Sequence, residues 1–187
     1  KIIKCNSKEL VKKHESGFNQ GFAIEDIAQD IEENFTGSHW ETEYTEFSIL
    51  ESGPLKASVQ MKGKLLNSSV SQTITLYKDL PKIDLTTTID WEGRKNTQIR
   101  IAYPFNIPNA KITYEVPFGS VLYPEGELEN TYRGTGGRFV QKWIDISNEE
   151  FGVTLSTRSG CFALKEPSTV YAVILRTTYS CGDRFYW

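Results

Sequence analysis

A mainly β domain of antiparallel strands, folded as a sandwich or a barrel, is what this sequence predicts. Residues alternate between apolar and polar from Leu55 to Trp91, and short runs of the same kind recur along the chain between glycine and proline breaks. Alternation gives side chains a period of two, so one face of each run meets a core and the other meets water. Many short strands at such spacing are the mark of sandwiches and barrels.

Lys1 to Cys5 is a short apolar run that reads as an edge strand, and Val11 to Gln20 is polar and weakly patterned. Ile24, Ile27, Ala28, Ile31 and Phe35 then recur at three- and four-residue spacing with acids between them. That stripe predicts one short N-terminal helix over residues 24–33, ended by Gly37. Trp40 to Leu50 returns to extended structure through Tyr44, Phe47 and Ile49.

A three-stranded meander follows. Leu55, Ala57, Val59 and Met61 alternate with Lys56, Ser58, Gln60 and Lys62, and Val70, Ile74 and Leu76 share one parity with Gln72. Ile83, Leu85, Thr87, Ile89 and Trp91 then oppose Asp84, Thr86, Thr88 and Asp90. Turns are read at Gly63-Lys64 and at Asp79-Leu80-Pro81. Such a meander is not stable alone, so the rest of the chain should pack on its greasy face.

Glu92 to Asn96 is a turn, and Ile99, Ile101 and Tyr103 alternate until Pro104, which has no N–H to give a ladder. Ile112, Tyr114 and Val116 form a strand closed by Pro117, and Val121 to Tyr123 a shorter one. Glu125 to Arg138 is the longest patternless segment. Phe139 to Ile146, Gly152 to Ser156, Cys161 to Leu164 and Val170 to Arg176 read as four further strands. The chain opens on Lys1, holds Met61 as its one methionine, and ends on Arg184 to Trp187, which reads as a strand. It is expected to be a piece of a longer polypeptide.

At 187 residues one large domain can bury about 70% of its extended surface and needs no staples. The net charge of −3, with both signs mixed, argues against nucleic acid or an anionic membrane as partner. No apolar run nears membrane-spanning length and no signal-peptide pattern opens the chain. Cys5, Cys161 and Cys181 form no CxxC and read as buried thiols of a reducing, cytoplasmic compartment, with a Cys161–Cys181 disulfide as the alternative. Sequons at Asn34 and Asn67 would matter only in a secreted protein.

No chemistry assembles from the residues themselves. His14 and His39 are the two histidines, without the clustering a zinc site needs. Arg133 to Arg138 is glycine-rich but lacks the Lys-Ser/Thr ending of a phosphate loop, and reads as a hairpin tip. Asp84 and Asp90 share a face, yet six strand residues hold them about 20 Å apart, too far for paired carboxylates. Trp40, Trp91, Trp143 and Trp187 could stack on sugar rings, although Trp91 and Trp143 fit inward parity.

Several stretches nonetheless resemble one family in order. These are Glu51 to Val59, Ser69 to Thr75, Asp84 to Trp91, Ala110 to Gly119, Gln141 to Ser147 with Phe151 to Leu155, Val173 to Arg176, and Gly182 to Tyr186. They resemble glycoside hydrolase family 38, the vacuolar and lysosomal type α-mannosidases. The resemblance implies an antiparallel β-supersandwich of the galactose-mutarotase type, the C-terminal part of those enzymes. It implies that the catalytic acids and zinc belong to an N-terminal α/β barrel outside this chain. No catalytic and no metal residue is therefore assigned here. In the family an arginine of the sandwich reaches toward the sugar cleft, and Arg176 is the closest positional match, its planar fork suited to hydroxyls and carboxylates. Arg158, with Ser159, is a second candidate, where the family's Asn-Asp-x-Lys-Tyr-Gly departs to Ser156-Thr157-Arg158-Ser159-Gly160.

The reading is thus a non-catalytic C-terminal sandwich that braces its own catalytic domain and walls part of an α-mannoside cleft. A free-standing carbohydrate-binding module is the alternative and predicts a row of exposed aromatics on one sheet face. An aldose-epimerase-like enzyme is a third and needs a histidine and a carboxylate together in a cleft.

Overall fold

A computed structural model describes residues 4–5, 8–13, 15, 17–28, 34–126, 137–157, 160–166 and 168–177. Every helix or strand among them is a strand. In chain order these are β1 (Lys4–Cys5), β2 (Lys8–Glu9), β3 (Gln20–Asp26), β4 (Phe35–Glu41), β5 (Glu43–Ser52), β6 (Lys56–Leu65), β7 (Ser68–Tyr77) and β8 (Ile83–Asp90). There follow β9 (Thr97–Pro104), β10 (Lys111–Val116), β11 (Gly119–Tyr123), β12 (Gly137–Val140), β13 (Trp143–Ser147), β14 (Gly152–Ser156), β15 (Gly160–Glu166) and β16 (Thr169–Arg176).

The strands form a six-stranded sheet ordered β12-β15-β16-β9-β3-β4, a four-stranded sheet β11-β10-β13-β14, the meander β5-β6-β7-β8, and a small pair β1-β2. Strand β9 shows how they stack. Ile99, Ile101 and Tyr103 share one face of it; Ile101 and Tyr103 pack with Ile112, Tyr114, Ile144 and Ile146 of the four-stranded sheet. Ile99 instead joins Ala23, Leu65 and Val70, with Ile89 and Trp91 of the meander against them. One face of the six-stranded sheet therefore carries both smaller sheets, which is the supersandwich the resemblance implied. Neutral hydrogen bonds settle the lone amide of the meander's apolar face. Asn19 donates to Gln72 at 3.1 Å, and Gln72, fully buried, donates to Thr87 at 3.1 Å.

The predicted helix over 24–33 is absent where it can be checked. Ile24 lies in β3, between Gln98 of β9 and His39 of β4, and the strand runs on to Asp26. A strand hydrogen-bonded on both sides outweighs a helical stripe in the sequence. Residues 29–33 lie outside the described residues. Gly37, read as the helix stop, is inside β4.

The turn read at Gly63-Lys64 is also displaced. Both residues belong to β6, and the turn falls at Leu66 and Asn67, Leu66 taking the left-handed conformation with φ 55°. Gly63 has another purpose: a Cβ there would come within 1.9 Å of the Glu43 carbonyl oxygen, where β5 bulges toward it.

The run from Phe139 to Ile146, read as one strand, is two. β12 ends at Val140 in the six-stranded sheet, and β13 begins at Trp143 in the four-stranded one. Alternation marks buried faces but not which sheet a strand joins. Trp143 alternates with the fully buried Ile144 and Ile146 and so shares the opposite face with Asp145, correcting its inward assignment.

Candidate functional site

Arg176 lies at the end of β16, in a cross-strand row with Gln98 of β9 and Ile24 of β3. A bulge between Val173 and Leu175 sets its direction. Without that extra residue the side chain would point to the opposite face of the sheet, because one residue of slip reverses parity. As built, its Nε donates to Asp26 Oδ2 at 2.7 Å, the guanidinium a quarter exposed and the carboxylate wholly buried. Asp26 Oδ1 accepts the backbone amides of Ala28 at 3.2 Å and Asn34 at 3.0 Å. One carboxylate thus anchors the arginine and ties the chain beyond β3 to the start of β4.

The same outer face of the six-stranded sheet carries a band of guanidinium and aromatic groups. Arg100 is buried, donates through Nε to Gln98, and lies 4.9 Å from the centre of the Phe35 ring. Phe22 stacks on His39 at 4.9 Å and meets Tyr171 edge-on at 5.9 Å. Arg94 covers Trp40 at 4.5 Å, but on the opposite face of the sheet, where Trp40 packs beside Ala23 and Ile99. Guanidinium forks can bind sugar hydroxyls and aromatic rings a sugar's C–H face, but Arg100, Phe22 and Tyr171 are buried, which leaves Arg176, a quarter exposed, to reach a ligand from this face. These groups do not make an acid–base pair, since Asp26 is engaged by Arg176 and two amides. Glu25, nearby, accepts hydrogen bonds from Thr36 and Ser38, which hold its carboxyl below the ordinary glutamate range.

Of the two arginines singled out in the sequence, only Arg176 can be placed; Arg158 lies outside the described residues, as do His14, Arg133, Cys181 and Trp187. Cys161 is half-buried on β15. Asp84 accepts from Tyr77 at 2.6 Å and pairs with Lys82 at 2.8 Å on the polar face of the meander, and hydrogen bonds from Lys82 and Tyr77 depress its carboxyl. Among the described residues no group of three or more His, Cys, Asp or Glu side chains could hold a metal ion. Among the described residues, the exposed aromatics Phe47, Phe118 and Phe139 sit on β5, the β10–β11 turn and β12, not in a row on one face.

Asp26, Gln98 and Arg100 were not found by reading the sequence. Asp26 fell on the polar side of the supposed helix, and Gln98 and Arg100 on the presumed solvent parity of β9. The available signal was Ala102, a small apolar residue on that same parity, which marks a strand covered on both faces.

Residues 8–161 match the family described as glycosyl hydrolases family 38 C-terminal domain. The chain is 31% identical over 119 residues to alpha-mannosidase G of Dictyostelium discoideum, covering 57% of this chain and 10% of that protein. It is 26% identical over 89 residues to alpha-mannosidase 2C1 of Mus musculus, covering 48% of this chain and 8% of that one. In three dimensions it resembles an alpha-mannosidase from Enterococcus faecalis V583 with a TM-score of 0.69 at 14% identity, over 90% of this chain and 23% of that one. The matched curated relatives are therefore far longer than this chain.

Proposed function

Because this chain belongs to the family of glycosyl hydrolase family 38 C-terminal domains, we propose that it serves as the non-catalytic sandwich of an α-mannosidase-like enzyme. In this reading it braces an N-terminal catalytic domain of the same polypeptide and walls one side of an α-mannoside cleft. The catalytic acids and a zinc ion belong to that other domain, and the enzyme works in the cytoplasm. Arg176 contributes from the wall: Asp26 holds its Nε, and so sets the plane of the guanidinium.

The observation that carries this reading is the family match across residues 8–161, joined to relatives whose segments matched by this chain are only 10% and 8% of their length. The test is turnover of an aryl α-mannoside by the 187-residue chain and by the longer polypeptide its gene encodes. Hydrolysis should come from the longer polypeptide alone and cease on chelation. Turnover by the 187-residue chain in the presence of EDTA overturns the proposal. Calorimetric heat from that chain with manno-oligosaccharides would mark a free-standing binding module instead.

A further inference from the structure

The meander's apolar face is only half covered. Its cross-strand rows run from buried to bare. Tyr44, Gly63, Val70 and Ile89 form a row packed on the six-stranded sheet. Next come Phe47, Met61, Gln72 and Thr87, then Ile49, Val59, Ile74 and Leu85, then Ser52, Ala57, Leu76 and Ile83. Along that path exposure climbs: Val70 is 3% exposed, but Phe47 is 71%, Ile49 74% and Leu76 50%, with Leu55 beyond them at 71%. The opposite face of the same strands is furnished for water, with Lys56 bridging Glu51 at 2.9 Å and Lys82 bridging Asp84.

We infer that the bare half of this face, from Phe47 and Ile49 on β5 to Leu55 and Leu76, is where the rest of an α-mannosidase-like polypeptide docks. The inference rests on the function proposed above and adds the contact surface. Three observations select this occupant. The bare face continues one that is already core, so a second layer laid beside the six-stranded sheet would complete it. β5 is a ten-residue edge strand with Phe47, Ile49 and Leu50 exposed, a feature that soluble proteins cover. The exposed side chains present on the order of 600 Å² of apolar surface, a patch large for a free monomer. That area reaches the range of interfaces between domains of one chain. A relative of which the matched region is only 10% has the polypeptide to supply the cover.

The test is maleimide labelling, mapped by mass at each site, of Ile49→Cys, Leu55→Cys and Thr86→Cys. Thr86 lies on the polar face and is the control. Each substitution is made in the 187-residue chain and in the longer polypeptide. Docking predicts that Ile49→Cys and Leu55→Cys react roughly 100-fold more slowly in the longer polypeptide, while Thr86→Cys is unchanged. Equal rates at Ile49→Cys and Leu55→Cys in both proteins overturn the inference. If Thr86→Cys alone slows, the bracing role stands and the surface is wrong. If the gene encodes no longer polypeptide, the proposed function falls first. Protection of the 187-residue chain that disappears on dilution identifies a second copy as the occupant, and also overturns the inference.

Discussion

Replacing Asp26 by alanine removes three acceptor contacts at once: the ion pair to Arg176 Nε at 2.7 Å and the two amide bonds from Ala28 and Asn34. Breaking a buried ion pair from one side costs about 3–5 kcal/mol, because the surviving charge stays uncompensated. Here the survivor is Arg176, which is 25% exposed and can recruit water, so the lower end applies. The orphaned amides add to the cost, offset where the loop relaxes into solvent. About 3 kcal/mol is the expected total, or a fall in Tm of about 6–12 °C for a domain of this size. Arg176→Met should cost about as much, about 3 kcal/mol, because it leaves a wholly buried carboxylate without its counter-charge, compensated only by the two amides it keeps. The double-mutant cycle Asp26→Ala/Arg176→Met should therefore return a coupling of about 1.5–2 kcal/mol in urea denaturation. A coupling below about 0.5 kcal/mol would refute the reasoning, since it would place the pair among surface contacts of little worth.

Three further outcomes follow from the packing. Burial pushes the hydroxyls of Tyr44 and Tyr103 up to about 12, from 10.0. The folded state then keeps protons that the unfolded chain releases, so stability is full below about pH 10 and is lost as pH rises toward 12. Urea midpoints at pH 8 and pH 11 measure this, and native titration of all nine tyrosines together near pH 10 would contradict it. Gly63→Ala should destabilise by more than about 3 kcal/mol, because its Cβ meets backbone rather than a flexible side chain, whereas Gly119→Ala, facing open space, should be near neutral. Equal denaturation midpoints for those two would count against the close approach of β5. Ile144→Ala, at a fully buried position, should cost about 2–5 kcal/mol, and a loss under about 1 kcal/mol would mean that this part of the core is loosely packed.

Much of the strand content was legible because antiparallel strands with one wet face write their position as alternation. The meander shows this: the parity read from Leu55 to Trp91 is the parity of the structure, and the polar alternates carry the Lys56–Glu51 and Lys82–Asp84 bridges. Legibility failed wherever a strand is covered on both faces. β3 is such a strand; Phe22 and Ala23 are consecutive and both buried, so no period of two survives and a helical stripe could be read instead. β9 hides Arg100 for the same reason, since alternation treats the alternate parity as water. Gly63 was misread because glycine signals a turn and a close backbone approach alike. The family resemblance could be seen in short motifs, yet the partner of Arg176 could not, because Asp26 is 150 residues away and meets it only across β9.

Alternation also carries an ambiguity that bears on function. A sequence states which side of a strand avoids water, but not what covers that side. Val70 and Ile49 obey the same rule on the same face of one sheet, yet one is 3% and the other 74% exposed. A sequence selected only to fold as this domain would gain nothing from keeping Phe47, Ile49, Leu55 and Leu76 apolar at the bare end. Exposed apolar residues on a long edge strand invite aggregation. Their retention is explained when the pattern was written for a larger object, in which the face is closed. The outer face of the six-stranded sheet differs, because Arg176, Asp26, Arg100 and Phe35 already satisfy one another within the domain. The two surfaces thus separate the two contributions proposed here: the meander's bare end as the place where the domain is held, and the outer face around Arg176 as what it presents.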